Sequence, residues 1–206
     1  MLAYIKAIFC VFETLLLSIG IIPVDQNINY GGTPYTPPAV VNEMVLVYDG
    51  ASDYVIATAD KTDECIGTAA LELQTYIEKI SGAVLDIVTE SELGENDKAI
   101  LVGETEAEKD VVEIDRSGIK ADGFRLYSDG KYLVIAGADS RGTLYGVYTF
   151  LEEYLGVRWF TPTLEVVPEN EDIIIDANID RMVEPSFAVR RNDCAGTNDA
   201  HRARTK

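Results

Sequence analysis

Residues 123–156 read GFRLYSDGKYLVIAGADSRGTLYGVYTFLEEYLG, and this stretch decides the fold class. Two apolar-rich runs, 123–128 and 131–137, flank Asp129-Gly130, and an Asp-Gly loop between such runs predicts a β-hairpin. The second run leads directly into a helical pattern. Leu144, Val147, Leu151 and Leu155 fall at helical steps, Ser140 or Thr143 can cap the N-terminus, and Gly156 can stop the C-terminus. Gly146 in mid-helix costs about 1 kcal/mol against Ala, which predicts a close approach of that helix to a strand or a partner helix. Val157-Arg158-Trp159-Phe160 and a Thr161-Pro162 turn follow. A strand that feeds a helix which feeds a strand belongs to a layered α/β protein rather than to an all-β one.

Reading outward from this stretch gives the remaining elements. Ile66, Ala70, Leu73, Ile77 and Ile80 lie on one stripe of a helix opening at Asp63 and ending at Ser81-Gly82. Residues 44–48 and 54–57 are strand-like, with Asp49-Gly50 and Ser52-Asp53 between them, and predict an opening hairpin. A strand at 84–88, a fully apolar central strand at 99–102, a short surface helix at 104–111, and apolar runs at 165–167 and 173–175 complete the pattern. The expected fold is α/β (α+β-like): a mixed β-sheet of about five or more strands with two main helices packed on one face.

Composition bounds the function. The chain has 206 residues, with 17 Lys+Arg against 35 Asp+Glu, a net charge of −18. Such a chain lacks the basic face that a sequence-independent nucleic-acid binder needs, so no nucleic-acid partner is expected. Its 47% apolar content is that of a globular protein rather than of an acidic disordered tail. Residues 1–24 are the most apolar stretch and read as a signal peptide or membrane anchor, with Lys6 ahead of the run, a small-x-small site at Ser18 and Gly20, and a costly Glu13 inside it. Residues 25–43 are a Pro/Gly/Thr linker. Secretion or cell-surface anchoring is the expected localisation, with a cytoplasmic one left open, and a membrane partner is expected only through an uncleaved leader. Whether Cys65 pairs with Cys194 stays open.

The chemistry available is sparse. Gly137-Ala-Asp-Ser-Arg-Gly142-Thr143 has the spacing of a phosphate-binding loop, but Thr143 stands where the phosphate-contacting Lys belongs, and Asp139 puts a negative charge into the cradle. A capped strand-to-helix turn is the better reading. The one histidine, His201, lies in a polar tail, and no metal-ligand spacing or G-x-S-x-G elbow occurs, so neither metal, cofactor nor catalytic residue is assigned. Asp63-Glu64 reads as negative charge at a helix N-terminus rather than as a catalytic pair.

The segments S-R-G-T-L-Y-G-V-Y (140–148), L-G-V-R-W-F-T-P (155–162) and V-V-P (166–168), with L-E-L-Q-T-Y-I-E-K-I-S-G-A (71–83) and A-I-L-V-G (99–103), carry a resemblance. Together they resemble the non-catalytic N-terminal α/β domain that precedes a (β/α)8 barrel in alpha-glucuronidases, beta-N-acetylhexosaminidases and related bacterial barrel proteins. The resemblance implies an accessory domain at 44–184 and the beginning of a barrel at 185–206. It also implies a catalytic barrel of the same protein as partner and a carbohydrate substrate reached through that barrel. Pro185-x-Phe187-x-x-Arg190 fits the family's exit motif, which makes Arg190 a substrate contact by implication, although Arg191 stands where hexosaminidases have Gly. Arg158, Trp159 and Phe160 are the expected domain-interface residues, with Trp159 also reading as a core side chain. The alternative is a stand-alone carbohydrate-binding or surface interaction module. It would need aromatic side chains on one face, and Tyr145, Tyr148 and Tyr154 scatter around their helix.

Overall fold

The computed structural model describes residues 40–161 and 163–187. These belong to the second of two units into which the chain divides, Thr36–Lys206; the first is Met1–Tyr35. The leader, most of the linker, Pro162, Arg190, Cys194 and His201 lie outside the described residues.

The first strand, β1 (Glu43–Val47), alternates exposed and buried positions before a bulge, whereas β2 (Tyr54–Thr58) is enclosed on both faces. Between them Asp49 (φ 50°) and Gly50 (φ 68°) make the tight turn that the sequence predicts. The hairpin itself does not form. Its ladder stops at a single Tyr48–Ala51 bridge, because β2 needs neighbours on both edges while β1 has one face to bury. β2 leads through α1 (Glu64–Ser81) to β3 (Ile87–Thr89), β4 (Lys98–Val102) and α2 (Glu106–Val111). The hairpin β5 (Phe124–Ser128) and β6 (Tyr132–Gly137) feeds α3 (Ser140–Glu153), followed by β7 (Arg158–Thr161), β8 (Leu164–Val166), β9 (Ile173–Asp176) and β10 (Asp180–Val183).

Six strands form one mixed sheet in the order β10-β5-β6-β4-β2-β3. The run β6-β4-β2-β3 is parallel, and β5 joins antiparallel to both β6 and β10. β1 pairs instead with β9, Glu43 opposite Asp176, in a separate two-stranded ribbon, and β7 pairs with β8. β4 is central, and Ala99 to Val102 are all 0% exposed. α1 and α3 pack together on one face, where Leu73, Ile77, Phe150 and Leu151 meet Ile56, Ile100, Leu133 and Ile135 under the β1–β9 ribbon. On the other face Ile114 and Ile119 cover Ala57, Ala99, Leu101, Val134 and Ala136.

Local chemistry explains the boundaries. Asp63 caps α1 by accepting from Ile66 N at 2.9 Å, and Gly82 (φ 79°) ends it. α3 is capped by Asp139, not by Ser140 or Thr143: Asp139 Oδ1 accepts from Gly142 N at 2.7 Å, and Ser140 is already helical. The β5–β6 loop lies one residue later than expected. Asp129 N donates to Tyr132 O, so Gly130 (φ 90°) and Lys131 form the tip, with Gly in the first central position, where a type II′ turn needs it. Of the predicted 84–88 strand only Ile87 and Val88 reach the β2 ladder, which continues one residue further to Thr89. α2 is not a purely surface helix, since Glu108 on it is fully buried. A Cβ on Gly146 would stand 2.9 Å from Ile135 Cγ2, which is the close helix-to-sheet approach that the sequence implies.

Candidate functional site

Two places could carry function: a polar cleft at the carboxyl ends of the parallel strands, and the β7–β8 hairpin. The cleft, about 400 Å³, is lined by Ala59, Val102 and Gly137 just at the ends of β2, β4 and β6, with the N-termini of α1 and α3 at its rim. Open α/β sheets bind ligands in this position. Here the chain's own carboxylates occupy the anion positions. Asp139 Oδ1 caps α3 and its Oδ2 accepts from Asp122 N at 3.1 Å; Asp63 caps α1 and also accepts from the Ser140 hydroxyl, which, as the largest cause, holds its carboxyl below the usual range. Glu90 Oε2 accepts from Glu106 N at 2.6 Å.

The Gly137–Thr143 loop is closed rather than cradling. Gly137 N donates to Thr143 Oγ1 at 3.0 Å, and the Thr143 hydroxyl donates to Asp139 O at 3.3 Å. A Cβ on Gly137 would lie 2.3 Å from Thr143 N, and one on Gly142 would lie 2.3 Å from Gly123 O. Both glycines are therefore required by packing, with no phosphate invoked. Among the described residues no group of three or more His, Cys, Asp or Glu is placed to hold a metal ion. Cys65 Sγ donates to Ser140 O at 3.5 Å, at the edge of the same region.

Below the cleft Glu108 is 0% exposed. Its Oε2 accepts from Arg116 Nη2 at 2.6 Å, while its Oε1 has no hydrogen-bond partner. Burial, opposed by Arg116, pushes this carboxyl up. Nothing in the 104–111 pattern marks Glu108 as buried. Its place three residues after Thr105 marks only the helix start, where the Thr105 hydroxyl accepts from Glu108 N at 2.9 Å and fixes the first turn.

The β7–β8 hairpin holds the three residues expected at a domain interface. Trp159 is 8% exposed and faces inward: its Nε1 donates to Tyr76 Oη at 2.7 Å, and Tyr76 donates to Glu165 Oε2 at 2.5 Å. Lys79 Nζ reaches Glu165 Oε1 at 2.7 Å, and Tyr76 and Tyr148 set their rings edge-on to the indole at 5.3 and 5.5 Å. Trp159 and Glu165 are direct cross-strand partners, so this face of the hairpin is bolted to α1. Arg158 and Phe160 are half-buried, and Phe160 lies where the ladder shifts by one residue. Arg158 Nη1 donates to Glu152 O at 2.6 Å, which ties the hairpin to the end of α3. Tyr76, three residues beyond Leu73 on the α1 stripe, is the partner that sequence reasoning missed.

The family described as Glycosyl hydrolase family 67 N-terminus matches residues 47–150, a little over half of the 206 residues. The chain belongs to that family. The match runs from the end of β1 into α3 and so takes in the cleft, while the β7–β8 hairpin follows it. Among solved structures, the chain is similar to a family GH115 4-O-methyl-alpha-glucuronidase with specificity for decorated arabinogalactans. The identity is 23% and the TM-score 0.48, over 69% of this chain and 18% of that one. It is also similar to a mutant beta-hexosaminidase of Streptomyces plicatus in complex with the product GlcNAc, at 14% identity and TM-score 0.45, over 80% of this chain and 29% of that one. The chain thus spans less than a third of the length of either. No curated protein matches it.

Proposed function

We propose that this glycosyl hydrolase family 67 N-terminus chain serves as the non-catalytic accessory domain of a carbohydrate-active glycoside hydrolase of the alpha-glucuronidase or beta-hexosaminidase kind. The catalytic carboxylates would belong to a (β/α)8 barrel in the same full-length protein. The observation that carries this reading is the family match over residues 47–150. The cleft supports it, because its capping carboxylates are engaged with backbone N–H groups rather than facing one another across a substrate-sized gap, as glycoside hydrolysis requires.

In this proposal the hairpin residues Arg158 and Phe160 meet the barrel, with Trp159 fixing the hairpin to α1. Arg190, past the end of β10, would reach the sugar. A guanidinium there can donate two parallel hydrogen bonds to hydroxyls or to a uronic carboxylate. Residues 1–24 would direct export or anchor the protein at the cell surface.

The test is turnover of aryl glycosides and glucuronoxylan oligosaccharides by the purified chain. No hydrolysis is expected, and measurable turnover would overturn the proposal. Reading the gene beyond codon 206 should reveal alternating strands and helices for about 200 residues or more. Saturable calorimetric binding of oligosaccharides to the chain alone would favour the stand-alone binding module instead.

A further inference from the structure

The segment 104–119 crosses the sheet face opposite α1 and α3. Its buried apolar anchors are Ile114 and Ile119, with Ala107, Val111 and Val112 partly buried beside them, on a layer in which alanines predominate. Its polar anchor is Glu108, fully buried with one oxygen on Arg116 and the other without a hydrogen bond. A buried carboxylate with a single partner is costly to keep ionised.

The surrounding charges relieve it only in part: burial, most strongly, and Glu104 oppose the ionised form, while Arg116 and Lys109 favour it. Arg116 Nε also lies 3.8 Å from Glu104 Oε2, so the one guanidinium at Glu108 is divided between two carboxylates. Lys109 is drawn outward, 2.8 Å from Glu106 and 3.5 Å from Glu104. Glu90 reaches in from the turn after β3 to accept from Glu106 N, and Arg125 on β5 is paired with Asp180 on β10 while donating to the backbone oxygen of Glu113, so its charge is already answered. Lys61, at the cleft wall, forms no ion pair among the described residues, and the nearby Asp63 and Asp139 are negative. Ionising Glu108 therefore adds a charge to a group of carboxylates already in excess over its cations.

We propose that residues 104–119 form a proton-sensitive strap, which closes over the second sheet face when Glu108 is protonated and opens more readily when it is ionised. Burial raises the pKa of Glu108 above that of the exposed, opened segment, so the closed form binds the proton more tightly. The closed form is then favoured at low pH and loses that advantage as pH rises through the raised pKa. What opens is the alanine-rich surface of β2, β4 and β6.

Peptide-resolved hydrogen exchange on the purified chain tests this, with rates corrected for intrinsic exchange and compared between pH 5 and pH 7.5. Protection of 104–119 should fall on the order of threefold or more relative to α1 as pH rises. In Glu108→Gln that relative change should vanish, and in Glu104→Gln, where Arg116 serves Glu108 alone, it should move to lower pH. The Glu104→Gln comparison concerns an exposed side chain and stands even if Glu108→Gln folds poorly. Protection that changes in parallel in the strap and α1, or a Glu104→Gln profile superimposable on that of the unaltered chain, overturns the proposal.

Discussion

The two faces of the central sheet are built differently. Toward α1 and α3 the strands present Ile56, Ile100, Val102, Leu133 and Ile135, which meet large helical side chains. Toward 104–119 the same strands present Ala57, Ala99, Leu101, Val134 and Ala136. The side-chain alternation of a strand makes both statements true of one set of residues read at period 2. Small residues let a thin, irregular segment lie close to the sheet, while large ones require the regular ridges of two helices. One face is thus a core that sets global stability, and the other is a cover that can respond locally.

Substitutions can break or sharpen this contrast. The largest loss is expected for Phe150→Ala, on the helical face and 0% exposed, at about 3–5 kcal/mol in urea unfolding. Gly142→Ala, forced against Gly123 O at 2.3 Å, should cost up to about 3 kcal/mol by overpacking. On the covering face Ile119→Ala should cost only about 1–2 kcal/mol, below the usual core range, because the segment can settle into the gap. A loss as large as that of Phe150→Ala would erase the distinction between the faces. Asp139→Ala, removing the α3 cap, should cost about 1 kcal/mol. The smallest effect is a pH effect. The depressed pKa of Asp63 means that its contribution is present above its unfolded value and is lost as pH falls through the folded one, so Asp63→Asn should flatten the acid limb of the stability profile.

The parts of the fold that repeat were legible in the sequence. The α1 stripe with Gly82 beyond it, the apolar β4, and the β6-to-α3 passage all carry period and punctuation, and all form, the last with Asp139 rather than Ser140 or Thr143 as the cap. Partner choice was not legible. Nothing in MVLVY says that β1 pairs with a strand some 130 residues away rather than with β2, because pairing depends on which edges are already taken. The three-residue strands β3 and β8 are set by their neighbours' ladders and lack a pattern of their own. For the site, the missing Lys and the intruding Asp139 argued against phosphate, and the geometry of the closed loop agrees. The burial of Glu108 could not be read, since one carboxylate among 35 acidic residues has no sequence signature of being covered.

The bolt between the hairpin and α1 has a spectroscopic consequence. Trp159 is the single tryptophan in a chain with eleven tyrosines, and it is enclosed by two of their rings with its N–H engaged. Its emission therefore responds to the lifting of β7–β8 from α1. A docked hairpin gives a blue-shifted indole fed by energy transfer from Tyr76 and Tyr148. A lifted one gives a red-shifted indole and recovered tyrosine emission. The protein thus carries its own gauge of the surface proposed to meet the barrel, with no label attached.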